Sequence, residues 1–99
     1  MSELVYLGGV SDDLDRIATH LVAFDAAERE ERIAEILSAM SILRKHPLIG
    51  RPVSGNKREL VIGRGSRGYI ALYRFDPHLD VVIVTAIRSQ RESGFSQEP

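Results

Sequence analysis

Five arginines, Arg58, Arg64, Arg67, Arg88 and Arg91, are the residues of this 99-residue chain whose type and placement could do chemistry. A guanidinium presents a rigid fork of donors that matches the oxygens of carboxylates and phosphates. All five fall between positions 58 and 91, at the ends of three apolar runs or in the turns between them: 59–62, 69–75 and 81–87. Each run is rich in Val, Ile, Leu, Tyr or Phe, and each is bounded by Gly, Pro or Asp. That composition predicts three strands joined by hairpins. A sheet rimmed with guanidinium groups could grip an anionic or carboxylate-bearing partner. The five arginines are therefore the candidate target-binding residues.

Other chemistry is poorly represented. Gly63, Gly65 and Gly68 match G-x-G-x-x-G literally. A dinucleotide fold needs that motif between a strand and a helix, so that the helix N-terminus meets the pyrophosphate. Here a strand follows, and the motif reads as a hairpin turn whose glycines permit positive φ. A kinase glycine loop does sit in a hairpin, but the chain has no H-R-D or D-F-G motif. His20, His46 and His78 stand alone, without a second His, Cys or carboxylate at ligand spacing, so no metal site is expected. Ser66, Ser89, Ser93 and Ser96 have no G-x-S-x-G elbow and no histidine nearby in sequence. No cofactor is expected.

The preceding half of the chain reads as support for this stretch. Residues 4–7 form a brief apolar strand ending at Gly8-Gly9. Ser11 before Asp12 and Asp13 predicts a capped helix with carboxylates at its positive end. Leu14, Ile17, Ala18 and Leu21 follow at the spacing of one helical face. The dipole accounts for Asp12, Asp13 and Asp15 better than a metal does, because no further ligand set accompanies them. Asp25 and Glu28 form a variant capping box for a second helix. Ile33, Ile36, Leu37, Met40 and Leu43 are its expected buried stripe, and Glu28 to Arg32 a solvated face. That helix should stop before Pro47, with Arg44, Lys45 and His46 in its last turn. Residues 47–52 read as a connector stiffened by two prolines, and Gly55-Asn56 as a turn. Runs 69–75 and 81–87 are apolar on both faces, where a half-exposed strand would alternate. One face can pack on the helices, and a partner segment is the expected cover for the other.

Length and composition bound the rest. Ninety-nine residues make one domain, 1–99, with a polar tail from about residue 92. The absence of cysteine fits a reducing compartment. No apolar run approaches the ~20 residues of a membrane span, and the start lacks the basic region of a secretory signal. A cytoplasmic protein without membrane contact is expected. Residues 1–43 carry three basic and nine acidic side chains, a net −6. Residues 44–99 carry ten and five, a net +5, which together give the overall −1. Such a chain is either electrically polarised or merely Glu-rich on its helices and Arg-rich in its loops.

Taken in order, these segments resemble the RelE/ParE superfamily of type II toxin–antitoxin toxins, often labelled plasmid stabilisation proteins of bacteria. The match rests on the strand, helical hairpin and three strands, and on four short stretches. His46-Pro47-Leu48-Ile49-Gly50-Arg51-Pro52 is similar to the family's H/N-P-x-x-G-R-P connector. Arg58-Glu59-Leu60 follows, then Gly68-Tyr69 leading to Leu72-Tyr73-Arg74. Ile87-Arg88-Ser89-Gln90-Arg91-Glu92 is similar to the R-H-x-R-E ending. The resemblance implies an α+β fold, with the N-terminal strand and helical hairpin packed on a mainly antiparallel sheet in the order β-α-α-β-β-β. It implies a heteromeric complex with a ParD-like or RelB-like antitoxin, and Leu14, Ile17, Leu21, Tyr69, Leu72 and Tyr73 are the expected antitoxin contacts. Two activities are known on this fold. RelE-like members cut mRNA on the ribosome, and ParE-like members poison DNA gyrase.

The departures from the family separate those activities. A metal-free ribonuclease must activate the 2′-OH and protonate the leaving oxygen. RelE-like nucleases do this with arginines, lysines and a late tyrosine or histidine. In this chain Ile70 stands where those nucleases tend to carry arginine. Ser89 stands where many relatives place histidine, and the late aromatic is Phe95. Arg88 and Arg91 remain as phosphate binders, and they would be the catalytic residues of a ribonuclease. The gyrase-directed reading is the expectation, with the ribosome-dependent endonuclease as its alternative. A degenerate member that only binds antitoxin is a third reading.

Overall fold

The computed structural model describes residues 1–21, 25–63 and 68–90. β1 (Glu3–Tyr6) leads into α1 (Gly8–His20) and α2 (Ala26–Met40), which tightens into a 3-10 turn, Ser41–Arg44. Four strands follow: β2 (Arg51–Val53), β3 (Lys57–Ile62), β4 (Tyr69–Asp76) and β5 (Val81–Ser89). They form one five-stranded sheet ordered β1-β5-β4-β3-β2, antiparallel except that β1 lies parallel to β5. The α+β class and the element order match the expectation. β2 is the addition: the proline-stiffened connector itself pairs with β3. It sits at a sheet edge, where Pro52 can lack its N–H without breaking a ladder on both sides.

The core lies between the helices and one face of the sheet. Val10, Ile17 and Leu21 of the first helical segment pack with Ile36, Met40 and Leu43 of the second. They meet Ile62, Tyr69, Ala71, Tyr73, Val82, Val84 and Ile87 from β3, β4 and β5. Leu43 joins Met40 on one face because a 3-10 turn aligns residues three apart. Leu37 of the expected stripe falls to the side and is 40% exposed.

α1 starts three residues before Ser11, at Gly8, and its N-cap residue Leu7 makes no side-chain cap bond. Burial of Val10 explains the early start. Removing a valine from water is worth about 1.5–3 kcal/mol, enough to offset the poor helix propensity of Gly8 and Gly9. Asp12, Asp13 and Asp15 therefore lie beyond the first turn, and the dipole does not explain them. α2 begins as expected, with the Asp25 carboxylate accepting a hydrogen bond from the Glu28 N–H at 2.8 Å. The break near Phe24 lies outside the described residues.

The register between β4 and β5 slips by one residue after Leu72, which pairs with Ala86 while Tyr73 pairs with Val84. Thr85 is the extra residue, and its hydroxyl donates to the Leu72 carbonyl at 3.2 Å. This bulge resets which β5 residues face the helices, so that Val82, Val84 and Ile87 all reach the core. On the opposite face Ile70, Leu72 and Ala86 are also buried, at 4%, 3% and 0% exposure. The expectation that a partner segment covers this face is corrected for its middle, which the chain buries itself, while Val61 at its margin stays exposed.

Candidate target-binding face

Strand pairing assigns each charged residue to a face. Arg58, Leu60 and Ile62 of β3 pair with Tyr73, Ala71 and Tyr69, so they share the helix-packed face. Lys57, Glu59 and Val61 alternate with them and lie on the outer face. Arg88 is opposite Ile70, and Arg74 is opposite Ile83, both on that outer face. Arg51 is opposite Glu59 there. Four cations thus share one surface: Arg51, Lys57, Arg74 and Arg88.

They surround a modest apolar centre. Val61 is 47% exposed, Val81 and Ile83 are half-buried, and Ile70 and Leu72 lie beneath. Arg74 is exposed. Arg51 is shared with Glu59, its Nε at 3.0 Å and its Nη2 at 2.9 Å from Oε1. Arg88 is half-buried, and its Nη1 donates to the Ser89 carbonyl at 3.3 Å. The helices carry the opposite charge, with Asp12, Asp15, Glu28, Glu30, Glu31 and Glu35 all exposed. The acidic excess along the sequence thus sits on the helical layer, and four of the cations of residues 44–99 sit on the outer face together with Glu59.

Arg58, an expected target contact, is occupied elsewhere. Its Nη1 donates to the carbonyls of Leu48 and Gly50 at 3.1 and 2.8 Å. The Gly50 N–H in turn donates to the Tyr73 hydroxyl at 2.8 Å. A Cβ on Gly50 would fall 2.7 Å from the Tyr73 ring and hydroxyl and 2.8 Å from the Glu59 carbonyl. Gly50 is thus required by close approach, and Arg58 and Tyr73 clamp the 46–52 connector against the sheet. Burial pushes the Tyr73 hydroxyl above its usual pKa, opposed in part by the Gly50 bond and by Arg58 nearby.

A second clamp lies beside Arg88. Asp13 is fully buried, and its Oδ2 accepts the Ile87 N–H at 2.8 Å. Its Oδ1 lies 2.7 Å from Arg16 Nη1, while Arg16 Nη2 donates to the Ile87 carbonyl at 3.2 Å. β1 pairs with β5 only as far as Tyr6 opposite Val84. Past that point a helical carboxylate and guanidinium serve the backbone groups of Ile87 that no strand reaches.

The remaining expected residues divide by burial. Ile17, Leu21, Leu72 and Tyr73 are buried, Tyr69 is 9% exposed, and Leu14 is half-buried. Arg64, Arg67, Arg91 and Phe95 lie outside the described residues. His20, His46 and His78 are exposed at separate places, and the described residues contain no group of three or more His, Cys, Asp or Glu able to hold a metal. No helix among them is long and apolar enough to cross a membrane. Sequence reasoning missed Arg51, Lys57 and Arg74. The alternation of β3 and β4 held the signal, but the sign of that alternation is fixed only once the helices choose a face.

Solved structures with this small α+β architecture include components of toxin–antitoxin complexes. The chain superposes on the chromosomal ParDE system of P. aeruginosa with a TM-score of 0.74 at 20% identity, covering 90% of this chain and 96% of that one. It matches the RelBE2 complex of Mycobacterium tuberculosis at 0.63 and 18% identity, over 90% and 98% of the two chains. For the E. coli RelBE complex the values are 0.62 and 13%, over 93% and 100%. These likenesses establish the fold. Residues 4–94 match the family described as ParE toxin of type II toxin-antitoxin system, parDE. Toxin RelE3 of Caulobacter vibrioides is 34% identical over 80 residues, 81% of this chain and 85% of that toxin. The chain belongs to the RelE/ParE family of type II toxin–antitoxin toxins.

Proposed function

We propose that this toxin acts in the cytoplasm as a ParE-type inhibitor of DNA gyrase, and that a cognate antitoxin, ParD-like or RelB-like, silences it in a heteromeric complex. The observation that carries this reading is the surrounding of Arg88. Its cross-strand partner is Ile70, and Leu72 and Ala86 follow on the same face. Tyr69 and Tyr73, which could have moved a proton, pack toward the helices. Arg88 is thus flanked across the strand by the apolar side chain of Ile70, with Leu72 and Ala86 beyond it, and that setting favours docking over cleavage of RNA. Arg74 and Arg88 are the central proposed contacts, with Arg51 and Lys57 at the margin and Arg64, Arg67 and Arg91 completing the set. Leu14, which keeps exposed surface, is the proposed antitoxin contact on α1.

Expression without antitoxin should induce DNA-damage signalling, and the purified toxin should abolish supercoiling by gyrase. Normal supercoiling at toxin excess would overturn the reading. The ribosome-dependent mRNA endonuclease is the second reading, favoured by four cations on one face and by the name of the Caulobacter relative. It requires codon-phased cleavage in a translating extract, lost on replacing Arg88. Harmless overexpression would leave only the antitoxin-binding role.

A further inference from the structure

We propose that Asp13 and Arg16 are positioning residues for Arg88, holding the outer-face end of β5 in the conformation that presents its guanidinium to the target. The inference rests on the proposed role of the outer face but is argued from different residues. β1 ends opposite Val84, so β5 continues beyond it with an open edge. The bulge at Thr85 then turns the N–H and C=O of Ile87 toward that edge. Left alone, these groups would be a buried donor and acceptor without a ladder, since Ile87 is fully buried. Asp13 takes the donor and Arg16 serves the acceptor.

The second of these bonds reaches Arg88 directly. The Ile87 carbonyl belongs to the peptide unit that also contains the Arg88 nitrogen. Fixing both Ile87 groups fixes the two peptide planes that lead into Arg88. Asp13 is fully buried, whereas the Arg16 side chain is 26% exposed. The carboxylate is thus anchored, and the guanidinium completes the bracket from the rim. An apolar pair there could satisfy neither Ile87 group.

The test uses the full chain with Asp13→Asn and Arg16→Gln. Asparagine keeps an acceptor for Ile87 and loses the ion pair. Glutamine leaves Asp13 in place and removes the charge. Three readouts are taken at a temperature where circular dichroism shows each variant folded. The first is amide exchange at Ile87 and, as a control, at Val82. The second is the nitrogen shift and relaxation of the Arg88 side chain. The third is inhibition in whichever assay, gyrase supercoiling or translated mRNA, the wild-type chain is active. We expect Ile87 exchange to rise about tenfold or more while Val82 holds. The Arg88 signal should shift and broaden toward mobility, and inhibition should fall about tenfold or more. A merely structural pair would lower the melting temperature and leave Arg88 unmoved in the folded state. An unchanged Arg88 signal in both variants would overturn the proposal, as would full inhibition with Ile87 deprotected. Failure of wild-type gyrase inhibition bears on the proposed target, whereas the first two readouts judge this inference alone.

Discussion

The two faces of the sheet use polar side chains in opposite ways. On the helix side, Asp13, Arg16, Arg58 and Tyr73 each bond to backbone that no strand reaches. On the outer side, Arg74 meets solvent, and Arg51 meets only a glutamate. The contrast teaches that a charged residue in a small domain is not a binding residue by type. Buried, it completes the hydrogen bonding of irregular backbone. Exposed, its bonds remain to be made with a partner.

Changes on the packed side should therefore cost stability, and changes on the outer face should cost function. The largest effect is expected for Asp13→Ala, which removes a fully buried carboxylate from the part-exposed Arg16 and from the Ile87 N–H. A loss of about 3–5 kcal/mol is expected in urea unfolding, and a loss under ~1 kcal/mol would mean that water or a neighbour replaces Asp13. Gly50→Ala comes next, at about 1–3 kcal/mol from overpacking, because its Cβ meets both the Tyr73 ring and the Glu59 backbone. Tyr73→Phe leaves the Gly50 N–H without its acceptor and should cost about 1–2 kcal/mol.

Tyr73 also sharpens the comparison through pH. Its hydroxyl titrates above the usual value, first because it is desolvated. The folded state thus holds the phenol proton more tightly than the unfolded state does. That contribution is complete below the unfolded pKa of about 10 and is lost as pH rises through the higher folded value. Alkaline denaturation followed by circular dichroism should begin above that point, and Tyr73→Phe should flatten its slope. Equal slopes in both proteins would remove the phenol from the account.

On the outer face, Arg74→Glu should change stability by no more than about 0.5 kcal/mol and yet weaken inhibition of the target. A stability loss as large as that of Gly50→Ala would erase the distinction between the faces. Smallest of all is Arg51→Ala. Its pair with Glu59 lies at the surface, so about 0.5 kcal/mol or less is expected, and that difference should vanish in high salt.

Much of the architecture was legible because it is written in local signals. The Asp25 cap, the stripe of Ile36, Met40 and Leu43, and the turns at Gly55-Asn56 and Asp76 are each set by residues a few positions apart. β2 was not legible, since three residues containing a proline carry no strand pattern, and only pairing with β3 makes them one. The start of α1 was misplaced because Ser11 is a better cap than Leu7, while the burial of Val10 is a tertiary gain. For the site, reading arginines at the strand ends found Arg88. It also selected Arg58, whose guanidinium turns inward, and passed over Arg74, which lies within a strand.

The sequence by itself determined the family, the order of every element but β2, and the unequal division of charge. The order of elements follows from periodicity and turn chemistry, which act over short stretches of chain, whereas the family follows from the resemblance of its short motifs to known toxins. The tertiary structure decided which face each charge occupies, because one inserted residue at Thr85 resets the alternation of all that follows it in β5. It also decided that Asp13, 74 positions away from Ile87 in the chain, completes the edge that β1 leaves open. No local rule anticipates that pairing, since it arises only when a strand ends early and a helix lies alongside.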